Sequence, residues 1–261
     1  MTIYSLVKDN ILLCSNCAGS LRQMEDDGLV CAICETSFPV HQGVAMMLPF
    51  SDEMQQRGVV SRTFSRPMIY DSIVKMKWYL TSALGLRDKM IGISSYCDGK
   101  EVLDIGCGPN LELPSNELDF RKVSRYVGVD FSRDFVLEAS RNHSSLQHDF
   151  IQASASHLPF ASNSFDVVVA SFTIHHVPEL PSTVLSEMFR IAREHIVVID
   201  HIKSDSKLLG LVQGTYWRLV DGGFHYQTES QWKDSTGNRR PVAELRTGAI
   251  GKHVIKRVYR S

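Results

Sequence analysis

The 261-residue chain has no apolar run long enough to span a membrane. Its first ten residues, Met1 to Asn10, lack the basic region followed by an apolar stretch that marks a secretory signal. These absences lead to the expectation of a cytoplasmic protein with no membrane partner, whose cysteines stay reduced. A strong charge of either sign is also missing, because 28 basic residues nearly balance 29 acidic ones and leave a net −1. The charge is unevenly spread. Residues 1–50 carry two basic and five acidic residues (−3), whereas residues 203–261 carry eleven basic and five acidic ones (+6). Gripping an RNA backbone needs a strong basic surface, and only the C-terminal segment has the composition for one. The simpler reading of that segment is a solvated edge strand protected by its lysines and arginines.

A third glycine is missing as well. Glu101 to Ile105 reads as a short apolar strand that carries Asp104 and runs into Gly106-Cys107-Gly108. Glycines there allow a tight turn and close approach of a ligand to the backbone, and the carboxyl end of such a strand is where open α/β sheets bind ligands. The dinucleotide fingerprint needs one more glycine, and Leu111 stands in its place. A second strand, Arg125 to Asp130, ends in an acid able to accept hydrogen bonds from both hydroxyls of a ribose. A glycine turn and an acid without the pyrophosphate glycine fit an adenosine ligand lacking phosphates, which describes S-adenosylmethionine (SAM).

On these residues the chain resembles the class I SAM-dependent methyltransferases. Val102 to Gly108 is similar to their first motif and Gly128-Val129-Asp130-Phe131-Ser132 to their second. Leu158-Pro159-Phe160 through Phe165-Asp166-Val167-Val168 is similar to a segment of the ubiquinone/menaquinone-type subfamily. The resemblance covers residues 70–198. It implies an α/β fold, a Rossmann-like seven-stranded sheet, with cofactor contacts at Tyr70, Asp104, Gly106, Cys107, Gly108, Asp130, Phe131, Ser132, Ser154, Ala155 and Ser171. Ser132 also reads as a helix N-cap. Ser154 stands where the family usually has an acid for the adenine amino group, so either adenine affinity is lower or the Gln152 side chain or the Ala155 backbone compensates.

Two CxxC pairs, Cys14/Cys17 and Cys31/Cys34, are separated by thirteen residues. That spacing suits four thiolates on one structural Zn²⁺, in a segment too small to fold on a core of its own. Its flanks resemble the small zinc-ribbon protein that activates methyltransferases, here fused into one chain. His41 is expected at the surface. The domain reading is a zinc ribbon over 1–50, a linker and cap helices over 51–98, and a cofactor-binding domain over 99–261 with an acceptor-pocket insertion near 203–235.

The strand over 165–171 is followed by Phe172-Thr173-Ile174-His175-His176, without the Pro-Pro-aromatic sequence of enzymes that methylate exocyclic amines. His176, His175 and His201 are candidate general bases, and Asp200 beside His201 is a candidate orienting acid. His225 could reach the same space. In the insertion, Trp217, Phe224, His225 and Tyr226 are candidate acceptor contacts. The function read from the chain is methyl transfer to a small-molecule acceptor, with an RNA methyltransferase as the alternative. The oligomeric state is not legible.

Overall fold

A computed structural model describes residues 3–25, 27–48, 94–109, 122–143, 148–220, 223–247 and 254–261. Tyr70 and nearly all of the expected linker and cap helices lie outside the described residues.

The central strands are nearly continuous apolar runs, as expected where both faces of a parallel sheet are covered. They are β6 (Glu101–Ile105), β7 (Arg125–Asp130), β8 (His148–Gln152), β9 (Phe165–Ser171) and β10 (Ala192–His201). The N-terminal segment contributes a helix α1 (Ile3–Lys8) and short strands β1 (Leu21–Gln23), β2 (Leu29–Cys31), β3 (Ser37–Phe38), β4 (Val40–His41) and β5 (Val44–Met46). The C-terminal strands are β11 (Ala243–Thr247) and β12 (Val254–Arg260). The large sheet runs β11-β12-β10-β9-β6-β7-β8-β5-β4. The expected seven strands are β6–β12, and the N-terminal segment adds two more.

Strands β8, β7, β6, β9 and β10 are mutually parallel, and only β12 enters antiparallel beside β10. The chain leaves β6 toward β7 and β8, then returns to the other side of β6 through β9. The crevice at the carboxyl end of β6 is therefore a topological switch point, the usual ligand position in such sheets.

Helices close the faces. After a short α2 (Ser94–Cys97), α3 (Arg133–Asn142) begins at Ser132, whose hydroxyl accepts a hydrogen bond from the Phe135 amide at 3.4 Å. The N-cap reading of Ser132 thus holds. Helix α4 (Pro181–Ile191) starts on a proline, which needs no amide partner there. Next come α5 (Lys207–Val220) and α6 (Glu229–Ser235), the latter opened by a Thr228–Gln231 capping box.

The N-terminal segment does not stand apart from this body. Gln42 (φ 53°) and Gly43 (φ 80°) form a two-residue turn that folds β4 onto β5. Strand β5 then pairs parallel with β8, Ala45 opposite Ile151, and the Met47 amide donates to the Gln152 carbonyl at 2.8 Å. Leu6, Leu12, Leu29, Phe38 and Met47 share one buried cluster with Ile151, Leu158 and Phe160.

The basic C-terminal segment departs from the expected solvated edge. Strand β12 is interior, flanked by β10 and β11, and Lys256 and Arg257 are each 3% exposed. Arg257 donates to both oxygens of Glu229 at 2.6 Å and to Glu244 at 2.8 Å, tying α6 to β11 and β12. Its charge is thus consumed inside the fold. Replacing Arg257 by Met keeps the packing volume but removes these charge-assisted bonds. Urea denaturation of R257M should show a stability loss of about 1.5–3 kcal/mol with an unchanged slope. A loss within about 0.5 kcal/mol, typical of an ordinary surface change, would show the network to be ornamental.

Candidate active site

The glycine turn is built by two different requirements. Gly106 (φ 70°) and Gly108 (φ 64°) both have left-handed backbone. A Cβ on Gly106 would lie 2.2 Å from the Thr173 hydroxyl, so the turn after β6 is pressed against the turn after β9. A Cβ on Gly108 would meet nothing within 4 Å among the described residues, which leaves open space beside the backbone there. The amides of Gly106 and Cys107 both donate to the Val129 carbonyl, at 2.7 and 3.0 Å, fixing the turn to β7.

The two acids take different positions. Asp130 ends β7 half-buried, accepting from the Gly108 amide at 3.0 Å and the Ser132 amide at 2.8 Å. Burial pushes its carboxyl up to about 6, against the opposing pull of those amides. Asp104 is buried, and the Tyr126 hydroxyl donates to it at 2.8 Å. Burial lifts it to about 7, with the Tyr126 bond opposing and the neighbouring Asp130 charge adding to the rise. Asp130 thus faces the crevice, while Asp104 sits under it. Cys107 is also buried. No pattern of residue types signals that Tyr126 would hold Asp104.

Beyond β7, Phe131 is half-buried, and its carbonyl accepts from the Gln152 side-chain amide at 3.1 Å. Gln152 is 0% exposed. Its side-chain NH2 holds the Phe131 carbonyl, while its Oε1 is buried without a hydrogen-bond partner among the described residues. Ser154 is half-exposed and its hydroxyl lies 2.8 Å from that of Ser156, while Ala155 is 9% exposed.

The far side of the crevice is organised by a buried carboxylate. After Ser171, Phe172 adopts φ 51°, sparsely populated for a bulky residue, and its amide donates to the Ile199 carbonyl at 2.7 Å. This bend leads into a 3₁₀ turn over Ile174–His176. Asp200, 1% exposed, accepts from the His175 amide at 3.2 Å, the His201 amide at 2.7 Å and the His175 ring Nδ1. Burial alone would raise the Asp200 carboxyl, but the charge and hydrogen bond of His175 outweigh it and hold it below its ordinary value. The side-chain partner of Asp200 is therefore His175, 25 residues away, rather than its chain neighbour His201.

The candidate histidines do come together. The His175 ring stacks on Tyr226 with centroids 5.0 Å apart and lies 5.1 Å from His201 and 4.1 Å from His176. His201 stacks on Trp217 at 4.9 Å. Their exposure separates them, since His175 is buried, His201 half-buried and His176 exposed. The His175 carbonyl accepts the amides of Phe224 and His225, which pins the aromatic loop over the turn. The His225 Nε2 lies 2.8 Å from the Pro178 carbonyl.

Phe224, His225 and Tyr226 line a cleft of 450 Å³ together with Lys203, Arg218 and Asp234. Trp217 does not line it. Trp217 is 7% exposed and backs the wall by packing on His201 and Tyr226.

The four cysteines also converge. Their sulfurs all lie within 4.8 Å of one another, with Cys14 and Cys34 at 3.6 Å and Cys17 and Cys31 at 3.5 Å. Tetrahedral Zn–S bonds of about 2.3 Å require sulfurs about 3.8 Å apart, so the donor set fits such an ion. The amides of Asn16 and Ile33 point at the Cys14 and Cys31 sulfurs at 3.4 Å, as neutralising donors to thiolate would. His41 is exposed on β4, as expected.

Comparison with known proteins agrees with this arrangement. A family model described as a methyltransferase domain matches residues 103–199. The phosphatidylethanolamine N-methyltransferase of Cereibacter sphaeroides is 33% identical over 173 residues, covering 64% of this chain and 80% of that protein. The demethylmenaquinone methyltransferase of Oceanobacillus iheyensis is 27% identical over 172 residues, covering 65% and 70%. Among solved structures, the YcgJ protein from Bacillus subtilis superposes with a TM-score of 0.51 at 20% identity, covering 64% of this chain and 72% of that one. A chain from the complex of the Haloferax volcanii Trm112 methyltransferase activator with its partner gives 0.55 at 14% identity, covering 76% and 95%. These two share the fold. With a sheet of the expected order, a glycine turn facing an acid at its switch point, and a third of its aligned residues identical to a methyltransferase, the chain belongs to the class I SAM-dependent methyltransferases.

Proposed function

We propose that SAM is held in the crevice between β6 and β7, and that the acceptor is a small amphipathic molecule entering from the aromatic cleft. The observation that carries the first half is Asp130, a carboxylate facing the crevice beside the open space at Gly108. Asp130 would accept the ribose hydroxyls, the backbone of Gly106 to Gly108 would line the cofactor, and Phe131, Ser154 and Ala155 would flank the adenine. When bound, SAM supplies a methyl group on a positively charged sulfur. The acceptors named for the two relatives, a phospholipid and a quinone, support the second half.

The chain's own contribution is mainly positioning. Thr173 sets the spacing between the cofactor turn and the turn that carries the histidines. Asp200 fixes His175 by amide and ring, and His175 in turn carries the loop that walls the cleft. Being buried and engaged, His175 serves as this support. His176, exposed and 4.1 Å from the His175 ring, would be the histidine that takes a proton from an acceptor. The RNA alternative is weakened, because two of the eleven basic residues of the C-terminal segment, Arg257 and Arg246, are committed to Glu229 and Glu244.

The zinc-ribbon reading follows from the donor set. Four converging thiolates with no open position suit a structural ion. Elemental analysis should give about one zinc per chain, and a strong chelator should lower the melting temperature markedly, since loss of such an ion is loss of folding free energy. Metal-free protein of unchanged stability would remove the reading.

Two titrations test the cofactor site. Asp130→Ala should weaken SAM binding by about 1.5–3 kcal/mol, the range for hydrogen bonds to a charged group, measured by calorimetry. The pH dependence has a definite sign. Ribose hydroxyls donate, so the ionised carboxylate is the binding form, and Asp130 ionises at about 6 in the free protein. SAM affinity should be full at neutral pH and fall as pH drops through that value, by roughly tenfold per unit at the limit for one proton. The D130A variant should lose this slope. A wild-type affinity that is flat between pH 5 and 8 would place the ribose elsewhere.

A further inference from the structure

Helix α5 is packed backwards for a surface helix. Its buried side is Gly210 and Trp217, with Gly210 so close to the chain that an added Cβ would lie 2.4 Å from the Ser204 carbonyl oxygen. The opposite side carries Leu208, Leu209, Leu211, Val212 and Tyr216, each 51–75% exposed. At about 100° per residue, these five side chains fall within an arc of about 160°, an exposed and largely apolar face that also carries Thr215. Lys207 and Arg218, near opposite ends of the helix, fall on the same border of that arc, both exposed, and Lys203 precedes the helix. Leu180 (65% exposed) and Phe224 (36%) are also exposed, and both line the cleft together with Gly214 and Arg218 of α5.

A second copy of the chain is a poor occupant for this face. A 14-residue helix is about 21 Å long and about 10 Å wide, so it offers roughly 200 Å². A stable dimer needs about 800 Å² from each partner. A lipid surface has no such requirement. An apolar face bordered by lysine and arginine is the pattern of a helix lying in the interfacial plane, where the cations meet anionic headgroups. The expectation of no membrane partner came from the lack of a spanning segment, and no helix among the described residues can cross a bilayer. Lying on the surface is a different contact, and only shallow burial is needed.

We propose that α5 docks this enzyme on an anionic lipid bilayer, with the mouth of the cleft at Leu180 and Phe224 turned to the membrane. The acceptor then belongs to the amphiphiles that reside there, with a polar head that reaches Lys203, Arg218 and Asp234 in the cleft. This rests on the acceptor half of the function proposed above, and deepens it.

The test is co-sedimentation of the full chain with vesicles of phosphatidylcholine alone and of phosphatidylcholine with added phosphatidylglycerol. Wild type should partition onto the anionic vesicles at least tenfold more strongly than onto the neutral ones, and salt should reduce the difference. The double variant Leu208→Ser, Leu211→Ser should lose at least tenfold in partitioning. Lys207→Glu should lose the anionic preference. Calorimetry with SAM in the absence of vesicles separates the two claims, since these exposed changes should leave cofactor binding intact. Wild type that binds SAM and stays in solution with both vesicles overturns the docking and leaves the cofactor site standing. A dimer in solution that the double variant converts to monomer, with no vesicle binding, assigns the face to self-association and equally overturns it.

Discussion

The carboxylate of Asp200 is the constraint on which the acceptor side of the molecule depends. It is buried at the end of β10 and receives the amide and ring of His175 and the amide of His201. An ionised carboxylate so far from water is stable only with its partners in place. The two donors from His175 fix the 3₁₀ turn after β9, and two things hang from that turn. Thr173 presses on Gly106, so the cofactor turn and the histidine turn keep one spacing. The His175 carbonyl holds the Phe224 and His225 amides, so the aromatic loop has a fixed base. A chain of short contacts therefore runs from the cleft wall to the glycine turn without crossing a flexible joint.

A comparable chain runs in from the other edge. The amide of Met47 holds the Gln152 carbonyl, the Gln152 side chain holds the Phe131 carbonyl, and the Ala153 amide holds the Asp130 carbonyl. The cysteine-bearing segment thus reaches the cofactor side through main-chain hydrogen bonds on β8. Pairing β5 with β8 also covers a sheet edge that would otherwise expose unpaired amides and carbonyls. The ribbon acts as part of the wall of the catalytic body, which fits its acidic composition better than a role in gripping phosphates.

Much of this was legible in the residues because it depends on local chemistry. A glycine forced to φ near 70° and an acid at a strand end announce a turn and a ligand position wherever they fall. Four cysteines at knuckle spacing announce their convergence. The partner of Asp200 was not legible, because adjacent residues on a strand face opposite ways and the true partner lies 25 positions back. The role of Trp217 was missed for a related reason. Side-chain type marks it as suited to a ligand, but burial, which depends on tertiary packing, commits it to His201 and Tyr226. The interior position of β12 was hidden by its charges, since Lys256 and Arg257 read as surface residues until their acidic partners on α6 and β11 are seen.

The central claim is that one crevice joins the cofactor acid to the histidine turn. A crystal structure with S-adenosylhomocysteine bound tests it most directly. The account predicts the ribose hydroxyls on the Asp130 carboxylate, the adenine beside Phe131 and Ala155, and the sulfur facing the opening between Thr173 and His176. A nucleoside bound away from Asp130, or a sulfur turned from the histidine turn, would contradict it.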